Sequence, residues 1–309
     1  MHRYILKRLL MLIPVLFGVV FIVFFIMDLA PGDPVYQVAG EQATEAELQA
    51  LRVKLGLDGN IFTRYVRYIA NMVRGNLGSS YISKRDVMKT YLERLPNTLL
   101  LASVTMLVAI LISIPLGIIA AVHQNSIKDT VSMILALLGL SMPNFWLGLL
   151  LIIFFALKLR WLPSGGKNGI ESIILPALTV GLGLAALMTR TTRSSMLDVI
   201  RQDYLRTARS KGVTEKRVIN KHALKNALIP IITIFGIQFS NVLGGSVLAE
   251  TVFSWPGVGR LVVDAINQRD IPMVTGALVM TTMLVSVVNL LVDIVYAFVD
   301  PRIKAQYTK

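Results

Sequence analysis

Apolar residues run through this chain in long blocks separated by shorter polar stretches. A helix that crosses a bilayer needs roughly 20 mainly apolar residues. Six segments fit that pattern: Leu9–Ala30, Thr98–Val122, Val131–Leu157, Ile173–Met188, Leu228–Glu250 and Met273–Val299. The fourth is short and rich in glycine. Ser141-Met142-Pro143 interrupts the third, and a proline there removes a backbone bond and kinks the helix, near a gate or as plain packing. Between the first two spans, residues 31–96 carry shorter periodicities. Thr44-Glu45-Ala46-Glu47 reads as a capping box opening a helix towards Leu55. Phe62, Tyr65, Ile69, Met72 and Val73 recur at helical spacing as one apolar stripe. Ser83-Lys84-Arg85-Asp86 opens a third short helix with Val87, Tyr91 and Leu95 on one side. The pattern predicts a small helical cap on the external face, which shields the spans or docks a soluble partner.

Composition agrees with a bilayer. Of 309 residues, 54% are hydrophobic and only 16% charged, with a mean hydropathy of +0.65. A soluble domain is about a quarter charged, so this chain has too little polar surface for water. It has no cysteine, which excludes disulfides and thiolate sites. His2, His123 and His222 are too scattered for a metal site. The N-terminal apolar run is too long for a signal peptide and no small-residue cleavage site follows, so a retained first span is expected.

The net charge of +13 sets topology. Arg3, Lys7 and Arg8 precede the first span and place the N-terminus in the cytoplasm. Six spans return the C-terminus there, in keeping with Arg302, Lys304 and Lys309. Residues 190–227 then lie inside, with ten basic residues against three acidic ones. The 31–96 segment has nine Lys and Arg, but long loops cross largely regardless of charge. Basic residues spread over both sides of the bilayer argue against nucleic acid.

Ionisable groups within spans are expensive and mark function. They are nearly absent here, which counts against a proton-coupled carrier and for energy supplied from elsewhere. Two polar stripes stand out. Thr282, Ser286, Asn289 and Asp293 share a face of the sixth span, by 100° per residue. In the fifth, Gly236, Ser240 and Gly244 form a small-residue face suited to close packing, while Gln238, Asn241 and Gly245 lie on another. The second face lines a hydrated pathway or makes helix contacts. Within 201–230, Gly212 separates two helix-forming runs, Thr214 is a candidate N-cap, and the second run ends near Leu228, before Pro230. This helix, turn and helix is a topology signal, a lipid-binding surface or a docking element. Rigid anchoring at both ends favours docking.

The order of motifs adds a resemblance. LAPGDP (29–34), LGLDGNIFTRYVRYIANMVRGNLGSSY (55–81), RLPNTLLLA (94–102), YLRTARSKGVTEKRVINKHALKNALIP (204–230), ETVFSWPGVGRLVVDAINQRDIPMVTGAL (250–278) and DPR (300–302) occur in sequence. The chain resembles the permease subunits of binding-protein-dependent ABC importers, in the dipeptide, oligopeptide and nickel branch, and its first (B-type) permease. The wider family's loop reads E-A-A, three residues, Gly, nine residues, I-x-L-P. Here Arg206-Thr207-Ala208 stand at E-A-A, Gly212 fits, His222 takes the Ile place and Lys225 the Pro place, with Pro230 five residues late.

The resemblance implies an all-α membrane protein with the type I ABC importer transmembrane fold: an N-terminal span (1–30), an external helical loop (31–96), a five-helix core (97–302) with a coupling loop at 190–227, and a cytoplasmic tail (303–309). It implies a non-catalytic pore subunit carrying dipeptides or oligopeptides across a bacterial or archaeal cytoplasmic membrane; glutathione and nickel chelates are carried by relatives. Its partners would be a second homologous permease, two ATP-binding subunits that hold ATP and Mg, an external substrate-binding protein and membrane lipid. No cofactor is bound by the chain itself: there is no G-x-x-x-x-G-K-S/T, and the GVG at 257–259 is a turn. Candidate coupling residues are Arg206, Thr207, Ala208, Lys211, Gly212, Arg217 and His222. Candidate pathway residues are Gln238, Asn241, Ser286, Asn289 and Asp293. Val258, Leu261, Val262, Ala265 and Ile266 predict a short amphipathic helix on the external membrane surface, closing the mouth or bracing it. A stand-alone secondary carrier or channel is the alternative, disfavoured by sparse intramembrane charge and the lack of an inverted repeat.

Overall fold

The computed structural model describes residues 2–29, 33–40 and 43–299. These are mostly helical, with one isolated bridge between Ser79 and Asp86. The elements are α1 (His2–Leu29), α2 (Pro34–Ala39), α3 (Glu45–Lys54), α4 (Ile61–Val73), α5 (Val87–Val122), α6 (Ile127–Ser141), α7 (Asn144–Leu151), α8 (Ile174–Ile200), α9 (Asp203–Ser210), α10 (Glu215–Arg217), α11 (Leu224–Gly245), α12 (Val247–Val252), α13 (Val258–Asn267) and α14 (Ile271–Val299). Among the described residues, five helices are long and apolar enough to span a membrane, and six if α6 and the stretch Asn144–Lys158 count as one bent span. The motif DPR and the basic residues Arg302, Lys304 and Lys309 lie outside the described residues.

The chain forms two compact units. The first comprises residues 1–98 and 256–287. Its core gathers Leu16, Val20 and Phe24 of α1 with Leu77, Val87, Ile271 and Val274. The capping box at Thr44 forms as the sequence predicts: Glu47 N–H donates to the Thr44 hydroxyl, and Thr44 N–H donates to the Glu47 carboxylate at 2.8 Å. Asp270, 3% exposed, ties the segment before α5 to α14 by accepting from the Ser80 hydroxyl and from Tyr81 N–H at 3.0 Å. Burial pushes the Tyr81 phenol up to about 12, so it stays neutral and donates to the Leu55 carbonyl at 3.1 Å. The Arg67 guanidinium, bonded twice to Asp58, holds that carboxyl below the usual range.

Two expectations for this region are corrected. Ser83–Asp86 opens no separate short helix. Asp86 accepts from Lys89 N–H at 2.8 Å and so caps α5, whose 36 residues run from Val87 straight into the second span. The apolar stripe of α4 is also split. Tyr65, Ile69 and Met72 pack on the core, whereas Phe62 and Val73 are 63% and 74% exposed. The predicted amphipathic helix forms as α13, burying Val258, Val262 and Ala265, with Ile266 left exposed.

The second unit comprises residues 99–255 and, among the described residues, 288–299. Its centre is α8, the most buried of the spans. The short, glycine-rich fourth span expected from sequence is thus a 27-residue helix, and its small residues permit close approach. A side chain at Gly181 would meet Val108 of α5 at 2.9 Å, and one at Gly139 of α6 would meet the Leu182 carbonyl at 2.8 Å. Since that neighbour is backbone, Gly139→Val should lower stability by about 1–3 kcal/mol, the usual cost of overpacking. The check is thermal unfolding in detergent against Gly18→Ala, where no atom lies within 4 Å; equal Tm values would refute the close packing.

Pro143 breaks the third span more sharply than a kink: the two halves bend by 100°. The fifth span ends at Gly245 rather than Glu250, because the chain turns at Ser246 before α12. Pro230 does not end a helix; it lies inside α11. Apolar spans tolerate proline when neighbouring groups restore the lost backbone bond. Within the 190–227 segment, α8 continues as helix to Ile200.

Candidate functional site in the basic loop and the polar helix faces

The basic segment folds as a helical hairpin. After eight residues α9 stops at a turn built on Gly212, whose φ of +77° suits glycine. Gly212 N–H donates to the Arg209 carbonyl at 2.9 Å and Val213 N–H to the Ala208 carbonyl at 3.3 Å, the paired bonds of a Schellman C-cap. Thr214 then holds the N-cap position of α10, with an extended backbone but no side-chain cap bond. Residues Val218–Ala223 form a π-helical turn that leads into α11.

An apolar pad roots the hairpin. Leu205, Val218, Ala223 and Ala227 are each 0% exposed and pack with Met196 of α8 and Ala121 of α5. Two polar links hold it. Arg209 Nε and Nη2 donate to the Glu215 carboxylate at 3.0 and 2.9 Å, across the Gly212 turn; this pairing raises the Arg209 pKa. The Tyr204 hydroxyl accepts from the Asn226 amide at 2.7 Å and donates to the His222 carbonyl at 3.4 Å.

Of the candidate coupling residues, Arg206, Thr207, Lys211, Gly212 and Arg217 lie on the exposed side. Ala208 and His222 are half-buried, the former beside the pad. The sequence reading missed Tyr204, Asn226 and Glu215, because their partners come from tertiary folding rather than helical spacing. It also missed Asp129. That carboxylate, 5% exposed, accepts two bonds from Arg193, both at 2.7 Å, and clamps α6 to α8. A serine cap at Ser126 was its only local signal. Exchanging both residues of the exposed pair tests its role: Arg209→Glu should reduce ATP-driven uptake about two- to fivefold, as suits a surface pair near 1 kcal/mol. The double exchange Arg209→Glu with Glu215→Arg should restore it. Failure to restore would mean that Arg209 acts on something other than Glu215.

The two polar faces lie on separate helices, one on α11 and one on α14. Asn241 donates to Gln238 at 3.0 Å, with Asn241 exposed. Ser286, Asn289 and Asp293 are half-buried along α14. The small-residue face packs at Gly236, where a side chain would meet Val292 at 2.2 Å, while Ser240 is buried and Gly244 exposed. Thr282 turns back to the Leu278 carbonyl. Among the described residues, no cluster of three His, Asp or Glu stands ready for a metal ion.

Residues 113–305 match the family described as binding-protein-dependent transport system inner membrane component, and residues 1–102 match its N-terminal companion. The chain is 43% identical, over 304 residues, to the glutathione transport system permease protein GsiC of Escherichia coli and of Salmonella paratyphi A, covering 98% of this chain and 99% of each relative. Its fold is similar to the MetNI methionine ABC transporter in inward-facing form, with TM-score 0.57 and 18% identity over 69% of this chain and 97% of that one. It is also similar to an amino acid ABC transporter, with TM-score 0.52 and 14% identity over 70% and 94%. The chain therefore belongs to the inner-membrane permeases of binding-protein-dependent ABC importers, in the peptide and nickel branch, non-catalytic subunits whose ATP is hydrolysed by separate chains.

Proposed function

We propose that the chain forms half of the pathway of an ATP-driven importer for dipeptides and short oligopeptides, glutathione-sized compounds included. The observation that carries this reading is 43% identity along almost the whole chain to permeases named for glutathione transport; glutathione is itself a modified tripeptide. The other half comes from a second, homologous permease, giving a heterodimer. Two ATPase subunits drive it and an external binding protein delivers the substrate.

The hairpin at 201–230 is the coupling element. Its buried side is fixed to α8 and α11, and its exposed side presents Arg206, Thr207, Lys211 and Arg217 to an ATPase cleft. An apolar root with a polar outer face lets a push on α9 pass into two spans. Ala208, Gly212 and His222 set the shape of that element. Both termini lie in the cytoplasm when the bent pair counts as one span, as the basic residues around α1 favour. Gln238, Asn241, Ser286, Asn289 and Asp293 supply polar groups to the pathway. Uptake competition in the assembled complex tests the substrate class, using labelled dipeptides, a pentapeptide, glutathione and nickel. Competition among the peptides is expected. Competition by nickel alone would overturn the peptide reading.

A further inference from the structure

Helix α4 lies beside the half of α1 that ends at Leu29. The Tyr65 hydroxyl donates to the Phe17 carbonyl at 3.2 Å, and its ring meets Phe21 and Phe24 at 5.7 and 6.3 Å. Phe17 sits midway along the apolar stretch Ile5–Leu29, about 18 Å from its end at 1.5 Å per residue. A hydrocarbon layer about 30 Å thick therefore reaches the level of these contacts. At 100° per residue, the apolar residues of α4 cover an arc of about 160°, from Tyr68 through Tyr65 and Ile69 to Val66. Only one flank of that arc packs on α1. The other flank, Phe62, Val66 and Val73, is 63%, 63% and 74% exposed. Apolar residues of α1 are exposed as well: Ile22 and Ile26 are 56% and 58% exposed.

We propose that α4 is not held in water but lies in the lipid leaflet at the Leu29 end of α1, with Phe62, Val66 and Val73 against acyl chains. The polar side of the helix suits this position. Arg64 is paired with Asp28 and Arg67 with Asp58, so the charges near the layer's edge are neutralised, and long arginine stems reach outward. The segment between the first two spans is thereby anchored to the membrane by its own helix, in the manner of an amphipathic interfacial helix.

The natural lack of cysteine allows a direct test. Phe62→Cys, Val66→Cys and Val73→Cys would each carry a nitroxide in the full complex in bilayers. Ile26→Cys serves as the lipid reference and Gln49→Cys on α3 as the aqueous one. Collision with oxygen and with a water-soluble nickel chelate is then read by saturation. The expected result is strong oxygen and weak nickel access at all three positions, as at Ile26, with the opposite at Gln49. Nickel access matching Gln49 would place α4 in water and overturn the proposal. Access to neither reagent would place a protein on that face and overturn it as well.

Discussion

Replacing Leu205 by aspartate is expected to abolish ATP-driven uptake, by about a hundredfold or more, while the permease still inserts in the membrane. Leu205 is 0% exposed and is the buried anchor of α9. Losing a buried leucine costs about 2–5 kcal/mol, and an unpaired carboxylate in its place adds a desolvation penalty. A free helix of eight residues has no stability of its own in water. The hairpin should therefore detach, and co-purification of the ATPase subunits should fail. Leu205→Met keeps the volume and should retain most activity, since such swaps cost below about 1.5 kcal/mol. Full uptake by the aspartate variant would mean that the hairpin does not transmit force.

The second large effect is expected at Asp293. This carboxylate is half-buried within an apolar helix of 29 residues. Ionisable groups at membrane depth are costly and persist where they serve the pathway or a partner. Asp293→Asn keeps size and shape and removes the charge. Uptake should fall about tenfold, equivalent to roughly 1.4 kcal/mol on the barrier, with the complex still assembled on gel filtration. Normal uptake would assign Asp293 to packing instead.

Much of the fold could be read from the sequence because a bilayer leaves few choices for a long apolar run. The Thr44 capping box and the Gly212 turn were legible for a different reason: each rests on bonds within a few residues, so local chemistry suffices. What escaped depends on neighbours. The start of α5 at Val87 was hidden because an amphipathic first turn joins an apolar span without a break. The helical stripe of α4 defined an arc, but only packing shows that α1 covers one flank and leaves Phe62 and Val73 open. Pro230 looked like a stop by the rules of soluble helices, and the span overrode it. The partnerships of Arg209 with Glu215, Tyr204 with Asn226 and Asp129 with Arg193 arise only when separate segments meet.

On the proposed reading, these links belong to a subunit that receives work rather than generates it. Its hairpin has an apolar root and a polar outer face. The most direct measurement is uptake of labelled glutathione and a labelled dipeptide into liposomes carrying the full complex, with ATP inside and binding protein outside. Accumulation should require ATP and the binding protein, and should vanish with Leu205→Asp while an imposed proton or sodium gradient has no effect. Uptake driven by such a gradient without ATP would contradict the account.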